Sequence, residues 1–182
     1  GDSYTRLQQV VNQVLEVDIP KYAELMLTTI EKLKRLMYVV AQSVPFKPNY
    51  SKLGRDLECH RTSISDLVLL LEKSHMLMVL RDDSFGVSAL GKVDKVYLGN
   101  THLAYALSDR VPDVGNLRET FFLTSVRPKY DVTSSSVSDF KVGKYTFEVG
   151  GKNKKQKQIQ GVENAFVVKD DIEHGFLNVI PL

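Results

Sequence analysis

Apolar positions along the first part of the chain recur with a helical period, and those along the second part alternate as strands do. Tyr4, Leu7, Val10, Val11, Val14 and Leu15 share one helical face, with Ser3 placed as an N-cap. Val17-Asp18-Ile19-Pro20 is expected to end that helix, because proline disfavours helical geometry in the residue before it. A second helix is predicted from about Thr28 to Gln42, with Ile30, Leu33, Met37, Val40 and Ala41 at core spacing. Pro45 and Pro48 impose a turn, and Ser51 is placed to cap a short helix through Leu57. Arg61 to His75 reads as a third helix that buries Ile64, Leu67, Val68 and Leu71. Met76 to Leu80 reads as a strand, Arg81 to Gly86 as a turn and Lys95 to Leu98 as the returning strand.

Helix, short helix, turn, helix and hairpin, in that order, make the winged form of a helix-turn-helix. In such a module the third helix offers its N-terminal residues to the major groove, here His60, Arg61, Thr62, Ser63 and Ser65. Lys52 and Arg55 are placed to touch phosphate. Against this, Leu69 and Leu70 lie off the core face and point to a protein surface as partner. Asp66, Glu72, Asp82 and Asp83 would also repel phosphate, so DNA and a protein both stand as partners of this module.

Asn100 to Leu103 starts another short helix, and Val111-Pro112-Asp113 reads as the boundary between halves. The organisation predicted is a helical lead-in over 1–27, a winged helix over 28–110 and a small α/β domain over 111–182. Gly115-Asn116 is expected to cap a helix through about Ser125 that carries Leu117, Phe121 and Phe122. Short strands follow at Lys129 to Val132, Asp139 to Val142 and Tyr145 to Val149, with Gly143 in the hairpin turn. Lys154 to Val162 favours helix, Ala165 to Val168 a buried strand and Phe176 to Ile180 a last strand.

Helix, three-stranded meander, helix and strand is the core order of restriction-endonuclease-like folds. The fold class expected is therefore α+β or α/β, a helical winged-helix module followed by a small nuclease-like domain with a mixed sheet. Nuclease chemistry of that kind needs acids to hold a divalent metal and a lysine to orient or activate water. The candidates are Glu119 on the helix, Asp139 on the second strand, Glu148 near the end of the third and Lys152 beyond it. Asp139 and Glu148 would hold Mg²⁺ or Mn²⁺ if the site is active. Gln156 and Gln158 fall on the expected following helix. The usual spacing is broken, because Gly150 shares a strand face with Glu148 and stands where a lysine belongs. This spacing predicts a catalytically degenerate site. Lys152, Lys154, Lys155 and Lys157 form the strongest basic run, at the expected start of a helix, where backbone amides would add to its pull on an anion.

Composition changes this picture little. An apolar share of 43%, a charged share of 25% and a formal charge of +2 suit a globular chain whose local patches decide its partners. The single Cys59 excludes an internal disulfide and a multi-cysteine zinc site, and fits a reducing cytoplasm. No run approaches the ~20 apolar residues needed to span a bilayer, so no membrane role is expected. Gly1 in place of methionine suggests an excised fragment.

Several strings resemble a known family. They are Tyr4 to Val11, Asp18-Ile19-Pro20, Ala41 to Asn49, Lys92 to Leu98, Arg118 to Phe122 and Tyr145 to Lys154, the last holding Glu-Val-Gly-Gly-Lys-Asn-Lys. Together they are similar to the C-terminal half of a prokaryotic AAA+ ATPase family of the kind abundant in Bacteroides-type bacteria. The resemblance implies that an ATPase module precedes this region in the same chain and binds ATP there. It also implies that Tyr4 to Leu15 belongs to the lid of that module, and that a nuclease-like domain of unknown function follows the winged helix. No cofactor is expected in this part of the chain beyond the metal of an active site.

Overall fold

The computed structural model describes residues 2–23, 26–43, 45–83, 92–108 and 110–182, with only the backbone of Asp2 and Tyr22. Gly1, Val44 of the family-like string and the turn residues Ser84, Phe85 and Gly86 lie outside the described residues. The chain is α+β and forms two compact units, Gly1–Val79 with Val96–Pro112, and Leu80–Lys95 with Asp113–Leu182.

The first unit opens with helix α1 (Asp2–Gln13), a π-helical turn (Val14–Asp18) and α2 (Ile19–Ala23). The helix therefore does not stop before Pro20 as expected. Proline lacks an N–H, and its ring would strike the carbonyl one turn back in a regular α-helix. The wider turn, in which the Ile19 amide donates to the Val14 carbonyl, lets the chain stay helical past it. Val11, Leu15 and Ile19 carry the buried stripe, while Tyr4 and Val10 are exposed, so the apolar face is narrower than the sequence pattern suggests. Gln8 Nε2 donates to the Ala106 carbonyl (3.1 Å) on α6 (Thr101–Leu107), which docks α1 in this unit.

Helix α3 (Leu27–Gln42) buries Leu33, Leu36, Met37 and Val40, and α5 (Arg61–Lys73) buries Ile64, Leu67, Val68 and Leu71. Both follow the helical spacing of their apolar residues. The short α4 (Tyr50–Asp56) is capped by Asn49, whose carboxamide accepts from the Lys52 amide (2.9 Å), rather than by Ser51. Strands β1 (Leu77–Arg81) and β2 (Val93–Leu98) form a two-stranded sheet, and Phe46 adds an antiparallel bridge to Val96.

The second unit is built on α7 (Val114–Val126) and a five-stranded mixed sheet, β3 (Thr133–Ser134), β4 (Phe140–Val142), β5 (Tyr145–Gly150), β6 (Ala165–Lys169) and β7 (Val179–Pro181) in that order. The cap of α7 is Asp113, which accepts from the Asn116 amide (3.0 Å), and not Gly115-Asn116. The first strand falls at Thr133–Ser134 instead of Lys129 to Val132, and the last is confined to Val179–Pro181. β3, β4 and β5 pair antiparallel, whereas β5, β6 and β7 run parallel. Phe122 of α7 packs on Phe140 and Phe147 (ring centroids 5.0 and 5.4 Å), which makes one sheet face aromatic.

The opposite face carries Thr146, Glu148, Ala165 and Val167 by strand alternation. Ile159 and Val162 cover part of it from the segment that joins β5 to β6. That segment, expected as a helix from Lys154, is a series of turns. Its only sizeable apolar residues from 154 to 162 are Ile159 and Val162, too few to give a helix a face to bury. Gly161 and Asn164 adopt positive φ and close it off.

The aromatic face sets a clear test. Phe122→Ala is expected to cost about 3–5 kcal/mol in urea denaturation, because a large buried side chain leaves a cavity. Its neighbour Phe121, 49% exposed, should cost less than about 1 kcal/mol. Equal losses would mean that α7 packs through a different face.

Candidate functional site

Strand β5 delivers Glu148 to the interior by simple alternation: Thr146 and Glu148 point to the same face, and both are buried. The glutamate is 1% exposed. A carboxylate that deep is tolerated only with a positive partner and hydrogen bonds to its oxygens. The partner is Lys154, whose Nζ lies 3.2 Å from Glu148 Oε1. Oε2 is buried and has no hydrogen-bond partner in the structure.

Gly150 explains how Lys154 arrives. A Cβ built on Gly150 would lie 2.5, 2.6 and 2.7 Å from Cγ, Cδ and Cβ of Lys154. The lysine stem therefore occupies the volume that a side chain at 150 would fill. The position two residues beyond Glu148 is vacant in the sequence and filled in space. Lys152, the candidate lysine beyond Glu148, is exposed, and its carbonyl accepts from Lys169 Nζ (3.2 Å). Lys154 also closes a tight turn, its amide donating to the Gly151 carbonyl (2.8 Å).

Asp139 sits one residue before β4 and beside Glu148 on the neighbouring strand. Its Oδ2 accepts from the Val149 amide (2.9 Å), and Oδ1 lies 3.9 Å from Lys95 Nζ. Glu119 is half-buried on α7 and is engaged within the chain. Asp139 and Glu148 are neighbours, but they form no trio with Glu119. Among the described residues no three His, Cys, Asp or Glu side chains are grouped to hold a metal ion. The orphan Glu148 Oε2 is the one feature that fits a cation at the Asp139–Glu148 pair.

The other side of the strand end carries a second cation. Arg118 of α7 pairs through Nε with Asp170, and its guanidinium would lie 3.1–3.2 Å from a Cβ on Gly151. Neither Arg118–Asp170 nor Lys95–Asp139 was evident from the sequence, since each joins residues far apart with no shared motif. Lys154 left one trace, a glycine at a position whose strand face was otherwise spoken for.

Lys152, Lys155 and Lys157 are exposed, while Lys154 turns inward. Gln156 Nε2 donates to Asn178 Oδ1 (3.0 Å), and Gln158 is exposed, both in turns rather than on a helix. In the first unit Lys52, Arg55, His60, Arg61, Thr62 and Ser65 are exposed, and Ser63 is half-buried. Gly54 lets α4 close against the turn before α5, since a Cβ there would meet the Cys59 carbonyl at 2.7 Å. Leu69 is exposed, whereas Leu70 is half-buried and lines a cavity of about 460 Å³ with Val14 and Ile19. No helix is long and apolar enough to cross a membrane among the described residues.

A family model described as "Domain of unknown function (DUF8612)" matches residues 1–113, and the chain belongs to that family. Glu148 and Lys154 lie beyond the matched residues. No curated protein and no solved structure matches the chain.

The buried pair makes a stability prediction. Lys154→Met keeps the stem over Gly150 but strands the Glu148 charge. It is expected to cost about 2 kcal/mol in denaturation, at the low side for a broken buried pair because Lys154 is partly exposed. The exposed Lys152→Met should stay within about 0.5 kcal/mol. Similar costs for the two would mean that Glu148 does not depend on Lys154.

Proposed function

We propose that this member of the DUF8612 family engages DNA through its phosphates, using a winged helix followed by a nuclease-like domain that no longer cleaves. One observation carries the reading, the separation of charge by depth. Lys52, Arg55, Arg61, Lys152, Lys155 and Lys157 stand in solvent, while Glu148 and Asp139 are drawn inward onto Lys154, Lys95 and the Val149 amide. Phosphate binding needs solvent-facing cations with freedom to displace counterions. Metal-assisted hydrolysis needs the reverse, acids open to an ion and to water.

The winged-helix reading draws on the order of α3, α4, α5 and the β1–β2 hairpin, with Phe46 bridging Val96 as a third strand position. Arg61 and Thr62 at the start of α5 would meet base edges, Ser63 would support them, and Lys52 and Arg55 would hold the backbone. The restriction-endonuclease-like reading draws on α7, the β3–β4–β5 meander and parallel β6, with acids on adjoining strands. Service as the targeting region of an AAA+ ATPase rests on the sequence resemblance alone. ATP would bind and turn over in that module, and its partners would include this region.

A second reading is a Mg²⁺- or Mn²⁺-dependent DNA nuclease, with Asp139 and Glu148 on the metal and Lys154 in place of Lys152. The unpartnered Glu148 Oε2 favours it. The hold of Lys154 on Oε1 and the lack of an acid trio among the described residues weigh against it.

The DNA reading predicts that a labelled duplex binds in fluorescence anisotropy, with log K falling linearly against log salt. Removing one phosphate-contacting lysine should flatten that slope by about 0.9. Arg61→Ala should weaken binding and relax sequence preference together. Binding that is absent or indifferent to salt would overturn the reading, and plasmid cleavage with Mn²⁺ that is lost on Glu148→Gln would favour the nuclease.

A further inference from the structure

The connection from β5 to β6 has no regular secondary structure, yet it holds a defined course. Its ties are few. Ile159 is buried against Ala165 and Val167, Gln156 bonds to Asn178, Lys169 reaches the Lys152 carbonyl, and Lys154 pairs with Glu148. Two of these, Gln156–Asn178 and Lys169–Lys152, are exposed hydrogen bonds of the kind that exchange readily with water. The Lys154–Glu148 pair is different, because its acid is fully buried and its charge is met by the Lys154 ammonium.

We propose that Lys154 is a positioning residue for phosphate binding. Its ion pair with Glu148 fixes the course of residues 151–157, so that Lys152, Lys155 and Lys157 are held outward as one contact surface for DNA. The inference rests on the DNA reading above and assigns the inner lysine of the run a task distinct from its neighbours.

Three observations support this division of labour. Among Lys152, Lys154, Lys155 and Lys157, Lys154 alone is turned inward, while the other three are exposed. Gly150 gives up its own side-chain volume to seat the Lys154 stem, so the inward course is built into the strand end. The Lys154 amide closes a turn onto Gly151, so the same residue fixes both the backbone and the side chain of the segment. A loop ordered beforehand loses less conformational freedom when it binds, and that saving appears as affinity.

Simple electrostatics and positioning give opposite signs for one variant. Glu148→Ala removes a negative charge from beneath the basic run, and charge alone would tighten DNA binding. Positioning requires the reverse. Glu148→Ala is expected to weaken binding to a labelled duplex roughly fivefold, with Glu148→Gln, which can still accept from Lys154, falling between it and the parent. Gly150→Ala changes no charge but expels the Lys154 stem, and should weaken binding as well. Tighter or unchanged binding by Glu148→Ala, measured on protein with parental circular dichroism, would overturn the inference. If that variant fails to fold, Glu148→Gln decides, since weaker binding supports positioning and equal or tighter binding overturns it. The triple variant Lys152→Ala, Lys155→Ala, Lys157→Ala separates this from the broader reading. If the triple variant binds as the parent does, the DNA reading of this segment falls. If it weakens while the Glu148 variants do not, only the role of Lys154 falls.

Discussion

Burying a carboxylate on a sheet face creates a demand for positive charge, and Glu148 makes that demand near the end of β5. The answer comes from Lys154, six residues further along the chain, which lies over Gly150 and reaches back along the strand. Gly150 is glycine for that reason, and the chain turns sharply at Gly151 so that Lys154 can arrive. The same turn breaks any helix at this point and throws Lys152, Lys155 and Lys157 into solvent. A single buried charge thus accounts for a glycine, a turn and the orientation of a basic run.

The strand end is balanced on its other face by a comparable device. Arg118 lies over Gly151 and pairs with Asp170, whose Oδ1 is buried without a partner, as Glu148 Oε2 is. Two adjacent glycines therefore seat two cations, one on each side of the sheet, and each pairs with an acid, the fully buried Glu148 and the partly buried Asp170. Acids so engaged are poor metal ligands until their partners leave. Glu148 and Asp139 face each other across the β4–β5 register, and each is engaged by a cation of the same unit, Lys154 and Lys95.

Much of the fold was legible in the sequence. The cores of α3 and α5 follow from apolar residues at three- and four-residue spacing, and β5 and β6 follow from alternation and β-branched content. The errors have local causes. Pro20 read as a stop because the pattern cannot reveal a π-turn that removes the offending hydrogen bond. The helix expected from Lys154 rested on propensity and charge, and no apolar stripe existed to hold it. That Asp139 stands opposite Glu148 was legible, since the short turn at Gly143 sets the antiparallel register of β4 on β5. The identity of the lysine was not, because Lys154 reaches Glu148 through a turn whose geometry no periodicity encodes.

Hydrogen exchange at single amides tests the central claim most directly. The Lys154 amide, bonded to the Gly151 carbonyl, should be protected in the parent protein, whereas the Val167 amide in β6 reports on the sheet as a whole. If the Glu148–Lys154 pair fixes the segment, Glu148→Ala should speed exchange at Lys154 by about tenfold and leave Val167 protected. Unchanged protection at Lys154, with Val167 equally unchanged, would show that the segment holds its course without the buried charge.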